Sequence, residues 1–132
     1  MYPDKLRIIN LLEGAVNEME LLQIMSEPVK VPDDFLKDMA GVILFRACSM
    51  SLQYITECFV KIKNICGLDF FNPYSSIPWN SVFGMRNFLS HGYGDVDAVG
   101  IFNTIREDIP PLLNTTRKML SDIQHDTDSN QE

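Results

Sequence analysis

The chain has 132 residues, of which 45% are hydrophobic and 22% are charged, and its formal net charge is −7. This length and composition are typical of a single soluble globular domain with one core, and no apolar run approaches the roughly 20 residues that a membrane span requires. The acidic balance argues against strong non-specific binding to nucleic acid, which depends on lysine and arginine, so any RNA site has to be local.

The start of the chain and the cysteines indicate where the protein works. The first residues, MYPDKLRIINLLEG, lack the basic segment followed by an uninterrupted apolar stretch that marks a secretory signal. Cys48, Cys58 and Cys66 are odd in number and lack the paired spacing of a zinc site. We therefore expect a cytoplasmic protein with reduced, buried thiols, with no membrane segment and with no metal or other cofactor.

The first predicted helix follows Pro3-Asp4, a typical start signal. Its apolar residues fall on one face, spaced 4, 3, 4 and 3 apart: Ile8, Leu12, Ala15, Met19 and Leu22. The helix should break between Glu27 and Pro32, because a helix interior does not accommodate the two prolines of this segment. Asp33 and Asp34 can then cap a short turn of helix that leads into a longer one.

A long helix is predicted from about Met39 to Asn64, because this stretch has no proline and its one glycine lies near the start. It is apolar over a wide arc, so we expect it in the middle of a bundle. The residues predicted to be buried are Val42, Phe45, Leu52, Phe59 and Ile62, with Ile43, Met50 and Tyr54 alongside.

The stretch CGLDFFNPYSSIP is a loop by its Gly, Asn-Pro and Ser content. Its aromatic residues Phe70, Phe71 and Tyr74 can either form a binding surface or pack the connection onto the core. Pro78 suits the first position of a helix that runs through Trp79 towards His91.

The rest of the chain predicts a final helical region and a tail. Gly92 and Gly94 end the preceding helix, and Asp95 or Asp97 can cap the next one. Its predicted buried residues are Ile101, Ile105, Leu112, Thr116, Met119 and Ile123, with Pro110-Pro111 splitting or kinking the segment. The prediction is an all-α protein, an up-and-down bundle of four to five helices over residues 1–125, followed by a disordered polar tail at 126–132.

Polar groups crowd the predicted helix end in MRNFLSHGYGDV, which contains Arg86, Asn87, His91 and Tyr93. On an ideal helix Asn87 and His91 share a face, whereas Arg86 and His91 diverge by about 140°. Arg86 and His91 can act on one substrate only if the helix loosens near residues 90–94 or if a second subunit contributes its own copy. The alternative is that these cationic groups only decorate a helix C-terminus, where the dipole favours them.

The segment IPWNSVFGMRNFLSHGYGDVD, residues 77–97, resembles the signature of the HepT-like branch of the HEPN superfamily. The matching elements are Ile77-Pro78-Trp79, Gly84-Met85-Arg86-Asn87, His91-Gly92-Tyr93 and Val96-Asp97. The downstream IREDIPPLL and the helical layout are also similar to the family. One element departs from it: the long helix has Ile55-Thr56-Glu57-Cys58 where family members often carry Gly-Glu-Ala, so the role of Glu57 is open.

The resemblance implies a HEPN-like homodimer in which the Arg-x4-His motifs of both chains meet, and metal-independent ribonuclease activity. Arg86 and His91 would be catalytic, Arg86 on the phosphate and His91 in proton transfer, and Asn87 would support them. The resemblance also implies a toxin paired with a small nucleotidyltransferase antitoxin that transfers AMP to Tyr93. Without the resemblance, Tyr93 would be interpreted as an aromatic residue packed over a helix end.

Two other functions stay open at this point. The chain can be a non-catalytic helical partner that helps a nucleotidyltransferase to bind its substrate, although retention of the Arg-x4-His motif favours the enzyme. It can also be a purely structural dimer, which explains the apolar stripes but leaves the polar groups at residues 86–93 without a purpose.

Overall fold

The computed structural model of the protein describes residues 4–91 and 98–130, although not the side chains of 87–91 and 127–130. Within these ranges there are α-helices and no strands: α1 (Lys5–Met25), α2 (Met39–Cys66), α3 (Trp79–His91), α4 (Ala98–Asn103) and α5 (Ile109–Asn130). Short 3₁₀ turns occupy Pro32–Phe35 and Leu68–Tyr74. The predicted all-α up-and-down bundle of four to five helices is confirmed.

Helix α1 packs against α2 on one side and α5 on the other. All five residues of its predicted stripe are fully buried: Ile8, Leu12, Ala15, Met19 and Leu22. Each large apolar side chain buried in this way contributes about 1.5–3 kcal/mol. Polar contacts support both interfaces, because the Ser51 hydroxyl of α2 donates to Glu18 at 2.7 Å and Arg117 of α5 donates to Glu20 at 2.9 Å.

The connection from α1 to α2 follows the predicted break, and its caps are divided between two aspartates. Asp34 accepts hydrogen bonds from the backbone N–H groups of Lys30 and Val31, which ties down the short 3₁₀ turn. The long helix is instead capped by Asp38, whose carboxylate accepts from the Gly41 N–H at 2.8 Å. Asp34 therefore caps the short turn as predicted, and the sequence did not single out Asp38.

Helix α2 contacts α1, α3, α4 and both 3₁₀ turns, as expected for a central helix. The predicted burial is correct for Leu52, Phe59 and Ile62 and partly correct for Val42 and Phe45, which are half-buried. It is wrong for the residues placed alongside: Ile43, Met50 and Tyr54 are 61%, 64% and 50% exposed. The described neighbours of α2 cover only part of its wide apolar arc, so one strip of it faces outwards.

The loop aromatics pack onto the core, which decides between the two alternatives for them. Phe70 and Phe71 are buried, and the centroids of their rings lie 5.3 Å apart. The Tyr74 hydroxyl donates to Asp122 of α5 at 2.7 Å, and this hydrogen bond, with Lys118 nearby, lowers the pKa of the Asp122 carboxyl. The loop is thereby held against α2 on one side and α5 on the other.

The last helical region is interrupted just before Pro110-Pro111, as predicted. A π-helical turn spans Thr104–Asp108, and the Ile109 N–H donates to the Thr104 carbonyl five residues back. This insertion accommodates the prolines, which cannot donate in an α-helical ladder. All six residues predicted to be buried in this region are buried: Ile101, Ile105, Leu112, Thr116, Met119 and Ile123.

Two predictions concern chain ends and turns. Helix α5 extends to Asn130, within the segment 126–132 for which the sequence predicts a polar tail, and residues 131 and 132 lie outside the described residues. Extending an existing helix by one residue costs less than nucleating a new one, so polar residues can prolong a helix that tertiary packing has already formed.

The proposed caps Asp95 and Asp97 and the glycines Gly92 and Gly94 lie outside the described residues. No described helix has the length and apolar character needed to cross a membrane.

Candidate active site

The start of α3 is fixed by aromatic packing against α2. The ring centroid of Trp79 lies 5.4 Å from that of Phe59 on α2 and 4.6 Å from that of Phe71 in the loop. Its indole N–H donates to the Tyr74 carbonyl at 2.9 Å. Because these contacts fix the first turn of α3, they also set the direction in which Arg86, two turns later, leaves the helix.

Arg86 forms an ion pair with Glu57 of α2. The Arg86 Nε lies 2.7 Å from Glu57 Oε1, and the two side chains are 52% and 31% exposed. Since Glu57 engages Nε, the terminal nitrogens of the guanidinium remain as donors of the forked kind that recognises a phosphate or carboxylate. The pair therefore orients Arg86 through its Nε, and among the described residues Glu57 is its ion-pair partner.

The structure places the other predicted site residues only in part. Asn87 and His91 lie on α3, and their side chains are outside the described part, as is Tyr93 altogether. Helix α3 is α-helical without a break from Trp79 to His91. The backbone positions of Arg86 and His91 therefore lie about 140° apart around the helix axis, as on the ideal helix. The first of the two conditions, a helix that loosens between Arg86 and His91, is therefore not met as far as His91.

An exposed apolar surface leads along α2 to this ion pair. Met39, Ile43, Met50 and Tyr54, which we call the α2 stripe, are 74%, 61%, 64% and 50% exposed. Their spacing places them on one face of the helix, with Glu57 three residues beyond Tyr54 on the same face. The stripe consists of two exposed apolar pairs, Met39 with Ile43 and Met50 with Tyr54, and the exposed Arg46 lies on the same face between them. Exposed apolar residues grouped on one face are typical of an interaction surface.

Basic side chains accompany the ion pair despite the acidic composition of the chain. Lys61 follows Glu57 by one helical turn and is exposed. Lys63 lies over the ring of Phe83 on α3, with its Nζ 4.7 Å from the ring centroid. Lys63 therefore brings a cation to the contact between α2 and α3, and Lys61 is a further exposed cation on the face of α2 that carries Glu57.

The thiols do not offer an alternative nucleophile. Cys48 and Cys58 are buried and Cys66 is half-buried, and all three are free. Burial raises the pKa of each thiol, to about 11 for Cys48, so all three are protonated near neutral pH. In the described part of the chain no three His, Cys, Asp or Glu side chains are grouped to hold a metal ion.

Sequence reasoning left open the residue that holds Arg86 and missed the exposure of the α2 stripe. The sequence leaves the role of Glu57 open, because the element around it departs from the family pattern, and nothing in the sequence pairs Glu57 with a residue 29 positions later. The sequence places three residues of the stripe, Ile43, Met50 and Tyr54, alongside the core, because apolar spacing does not distinguish a face that packs within the same fold from a face that packs against another chain.

The fold and site define an all-α bundle whose central helix holds an arginine of the next helix beside an exposed apolar face. Residues 16–119 match the family described as Ribonuclease HepT-like. The chain belongs to this family, as the sequence motif predicted.

Relatives in three organisms carry ribonuclease names. A putative RNase of Caldanaerobacter subterraneus subsp. tengcongensis is 35% identical over 109 residues, which cover 83% of this chain and 90% of the relative. A probable ribonuclease HepT of Thermococcus cleftensis is 31% identical over 108 residues, which cover 82% of this chain and 91% of the relative. A putative RNase of Methanocaldococcus jannaschii is 31% identical over 62 residues, which cover 47% of this chain and 53% of the relative. No solved structure matches the chain at a significant level.

The ion pair predicts a specific response to Glu57→Gln. Because both side chains are substantially exposed, losing the pair should change the free energy of unfolding by less than about 1 kcal/mol. The Arg86 Nε–Hε resonance in a ¹⁵N-edited NMR spectrum should nevertheless shift and broaden, since the charge that orients the guanidinium is gone.

The matched control is Glu20→Gln, which breaks the Arg117–Glu20 pair of similar length and exposure between α5 and α1. It should leave the Arg86 resonance unchanged. An Arg86 resonance that is equally insensitive to Glu57→Gln would contradict the positioning role of Glu57.

Proposed function

We propose that the protein is a ribonuclease toxin that cleaves RNA without a metal, at a site where Arg86 of one subunit meets His91 of a second. The observation that carries the proposal is the orientation of Arg86 by Glu57 at the end of the exposed α2 stripe. Membership of the HepT-like ribonuclease family supports RNA as the substrate and cleavage as the reaction.

The proposed reaction is an internal phosphoryl transfer. The 2′-oxygen of a nucleotide attacks the adjacent phosphorus, the bond from phosphorus to the 5′-oxygen breaks, and the products are a 2′,3′-cyclic phosphate and a 5′-hydroxyl. The proton of the 2′-hydroxyl has to be removed and the leaving 5′-oxygen has to be protonated. His91 suits proton transfer at this site because an imidazole exchanges a proton near neutral pH.

Arg86 supplies the electrostatic part of this proposal. Negative charge builds on the non-bridging oxygens during attack, and a guanidinium held in position stabilises it without reorganising. Glu57 is a positioning residue in this scheme, because it touches Arg86 and leaves its terminal nitrogens for the phosphate. Asn87 adds a hydrogen-bonding group next to Arg86 in the chain, for the substrate or for His91.

A second copy of the chain resolves the divergence of Arg86 and His91 on α3. A two-fold axis beside the Arg86–Glu57 pair would place the α2 stripes of two chains against each other, which buries their exposed apolar side chains. The same axis would bring two motifs together, so that groups pointing apart on one helix converge across the interface.

Cleavage should depend on Arg86 and His91 and not on chelators. In EDTA, His91→Ala should lose about 10²–10⁴-fold in cleavage rate and Arg86→Ala about 10²–10³-fold, by removal of proton transfer and of charge stabilisation. The assay is cleavage of a labelled RNA by the purified protein, with the product ends identified by mass spectrometry. Arg117→Ala, which removes an equally exposed, Glu-paired arginine elsewhere, should retain activity.

Mixing the two inactive variants tests whether the site is shared. If each site takes Arg86 from one chain and His91 from the other, equilibrated Arg86→Ala and His91→Ala proteins should recover about a quarter of the wild-type activity, because half of the dimers are mixed and each of these has one intact site. Absence of recovery would place both residues in one chain. Full cleavage by His91→Ala would remove that residue from the mechanism.

The dimer depends on the α2 stripe in this proposal. Met50→Glu should convert the dimer to a monomer in sedimentation measurements and abolish cleavage, while circular dichroism stays that of a helical bundle, because Met50 is 64% exposed. Ile24→Glu is the control, since Ile24 is 73% exposed on α1 and is not part of the stripe. A Met50→Glu protein that remains dimeric would exclude the stripe as the interface.

We further propose a small nucleotidyltransferase as the antitoxin and Tyr93 as the hydroxyl that it modifies with AMP. An adenylyl group two residues from His91 adds bulk and negative charge where an RNA phosphate has to enter, so it would block the cytoplasmic toxin. Incubation with the transferase and ATP should add one AMP mass to the wild type and none to Tyr93→Phe. A stable complex with the transferase, with no cleavage by the unmodified protein, would instead favour the non-catalytic binding partner.

A further inference from the structure

A cavity beside α3 is not used by the mechanism above. It has a volume of about 280 Å³ and lies between the first half of α3 and the turn where the π-helical segment passes into α5. Six of its lining residues matter for its chemistry: Ser76, Ser81, Val82, Met85, Asp108 and Pro111. This volume lies at the small end of ligand sites, where a single planar ring system fits better than an extended molecule.

The walls of the cavity are apolar and its polar groups are few. Val82, Met85 and Pro111 supply flat aliphatic surface, and the hydroxyls of Ser76 and Ser81 can each donate or accept a hydrogen bond. Asp108 adds a carboxylate at the edge. This combination of apolar faces with a few polar groups is typical of sites that hold a planar heterocycle by its faces and read its edge.

Asp108 is placed at the cavity by the irregularity of the helix. It is the last residue of the π-helical turn Thr104–Asp108, and such turns are often found at functional sites. Partial burial and the neighbouring Glu107 carboxylate raise the pKa of the Asp108 carboxyl. Asp108 is an exposed residue that lines the cavity, and no cation among the described residues forms an ion pair with it.

The cavity adjoins the proposed cleavage site along α3. Met85, one of its walls, immediately precedes Arg86, and Ser81 lies about 7.5 Å before Arg86 along the helix axis. The two sites are about 100° apart around α3, as Met85 and Arg86 are. An RNA strand with its phosphate at Arg86 would have to curve around this part of α3 for a neighbouring nucleotide to reach the cavity.

We propose, building on the ribonuclease function above, that this cavity binds an unstacked base of the substrate RNA beside the scissile phosphate, and that it selects a base with an exocyclic amino group over uracil. Proteins read single-stranded RNA largely by enclosing splayed bases and hydrogen-bonding to their edges. A carboxylate accepts from the amino group of cytosine, whereas the O4 atom of uracil at the same position is an acceptor and is repelled. Cytosine is the smallest base that meets this requirement.

The first test is base preference in cleavage. The substrates are oligonucleotides with one cleavable step flanked by cytosine or by uracil. The wild type should cut the cytosine substrate about tenfold faster than the uracil one, and Asp108→Asn should bring this ratio close to one, because an amide can donate to O4 as well as accept. The matched control is Glu107→Gln, which removes the neighbouring exposed carboxylate, does not line the cavity and should keep the wild-type ratio.

The second test does not depend on catalysis. His91→Ala protein is titrated with CMP and with UMP, and binding is followed by NMR shifts of the Ser81 and Asp108 amides. CMP should bind more tightly than UMP, and Ser81→Leu, a bulkier residue at an exposed position of the rim, should abolish the difference. Ser81→Leu is chosen because filling the site from the buried Val82 could disturb the core.

The two tests separate the failure of each idea. Cleavage with an unchanged base ratio in Asp108→Asn, together with equal or absent binding of CMP and UMP, overturns the base site and leaves the ribonuclease intact. If no version cleaves RNA, the ribonuclease proposal fails and the titration alone decides: preferential CMP binding lost in Ser81→Leu supports the base site, and any other result overturns it.

Discussion

The packing of Trp79 between α2 and the preceding loop is the contact on which the site depends. Its ring meets Phe59 on one side and Phe71 on another, and its indole N–H is satisfied by the Tyr74 carbonyl, so the first turn of α3 has one position relative to α2. Because a helix is rigid over two turns, fixing its start also fixes where Arg86 emerges. The meeting of Arg86 with Glu57 is thus a consequence of apolar packing, and the exposed ion pair itself adds little to stability.

Helix α2 serves two purposes with one sequence. The side with Leu52, Phe59 and Ile62 closes the core, while the α2 stripe and Glu57 lie on the outward side. Keeping Met39 and Met50 exposed costs solubility in an isolated chain, and this cost is removed if a second copy covers them. Methionine suits such a surface, because its flexible thioether adapts to a partner's shape. In the proposed dimer, the same helix would therefore stabilise the fold, bring two subunits together and orient the catalytic arginine.

The electrostatics reconcile an acidic protein with an anionic substrate. A net charge of −7 disfavours diffuse attraction to RNA, so binding would have to come from short-range contacts. Arg86 pairs with Glu57 between α2 and α3, Lys63 lies over the ring of Phe83 on α3, and Lys61 is exposed one turn after Glu57, so cations are present near the candidate site although the chain is acidic. Such an enzyme would bind few phosphates and depend on base contacts for part of its affinity, which is consistent with a base site next to Arg86.

The sequence by itself determined most of the architecture and named the candidate residues. The spacing of Ile8 to Leu22 and of Ile101 to Ile123 identified the buried faces, because a helix that contacts one core repeats its apolar residues every three to four positions. Prolines located the breaks, including the π-helical turn before Pro110. The motif around Arg86 and His91 identified the family, which the comparisons confirm.

Only the tertiary structure decided which side chains of different helices contact one another and which faces are exposed. It showed that Glu57 holds Arg86, that the α2 stripe faces outwards, and that Ser81 and Asp108 line one cavity. None of these follows from spacing, because each depends on how two helices that are distant in sequence are rotated against one another. That rotation is set by the sum of many small packing contacts, above all those of Trp79, and a one-dimensional pattern does not contain it.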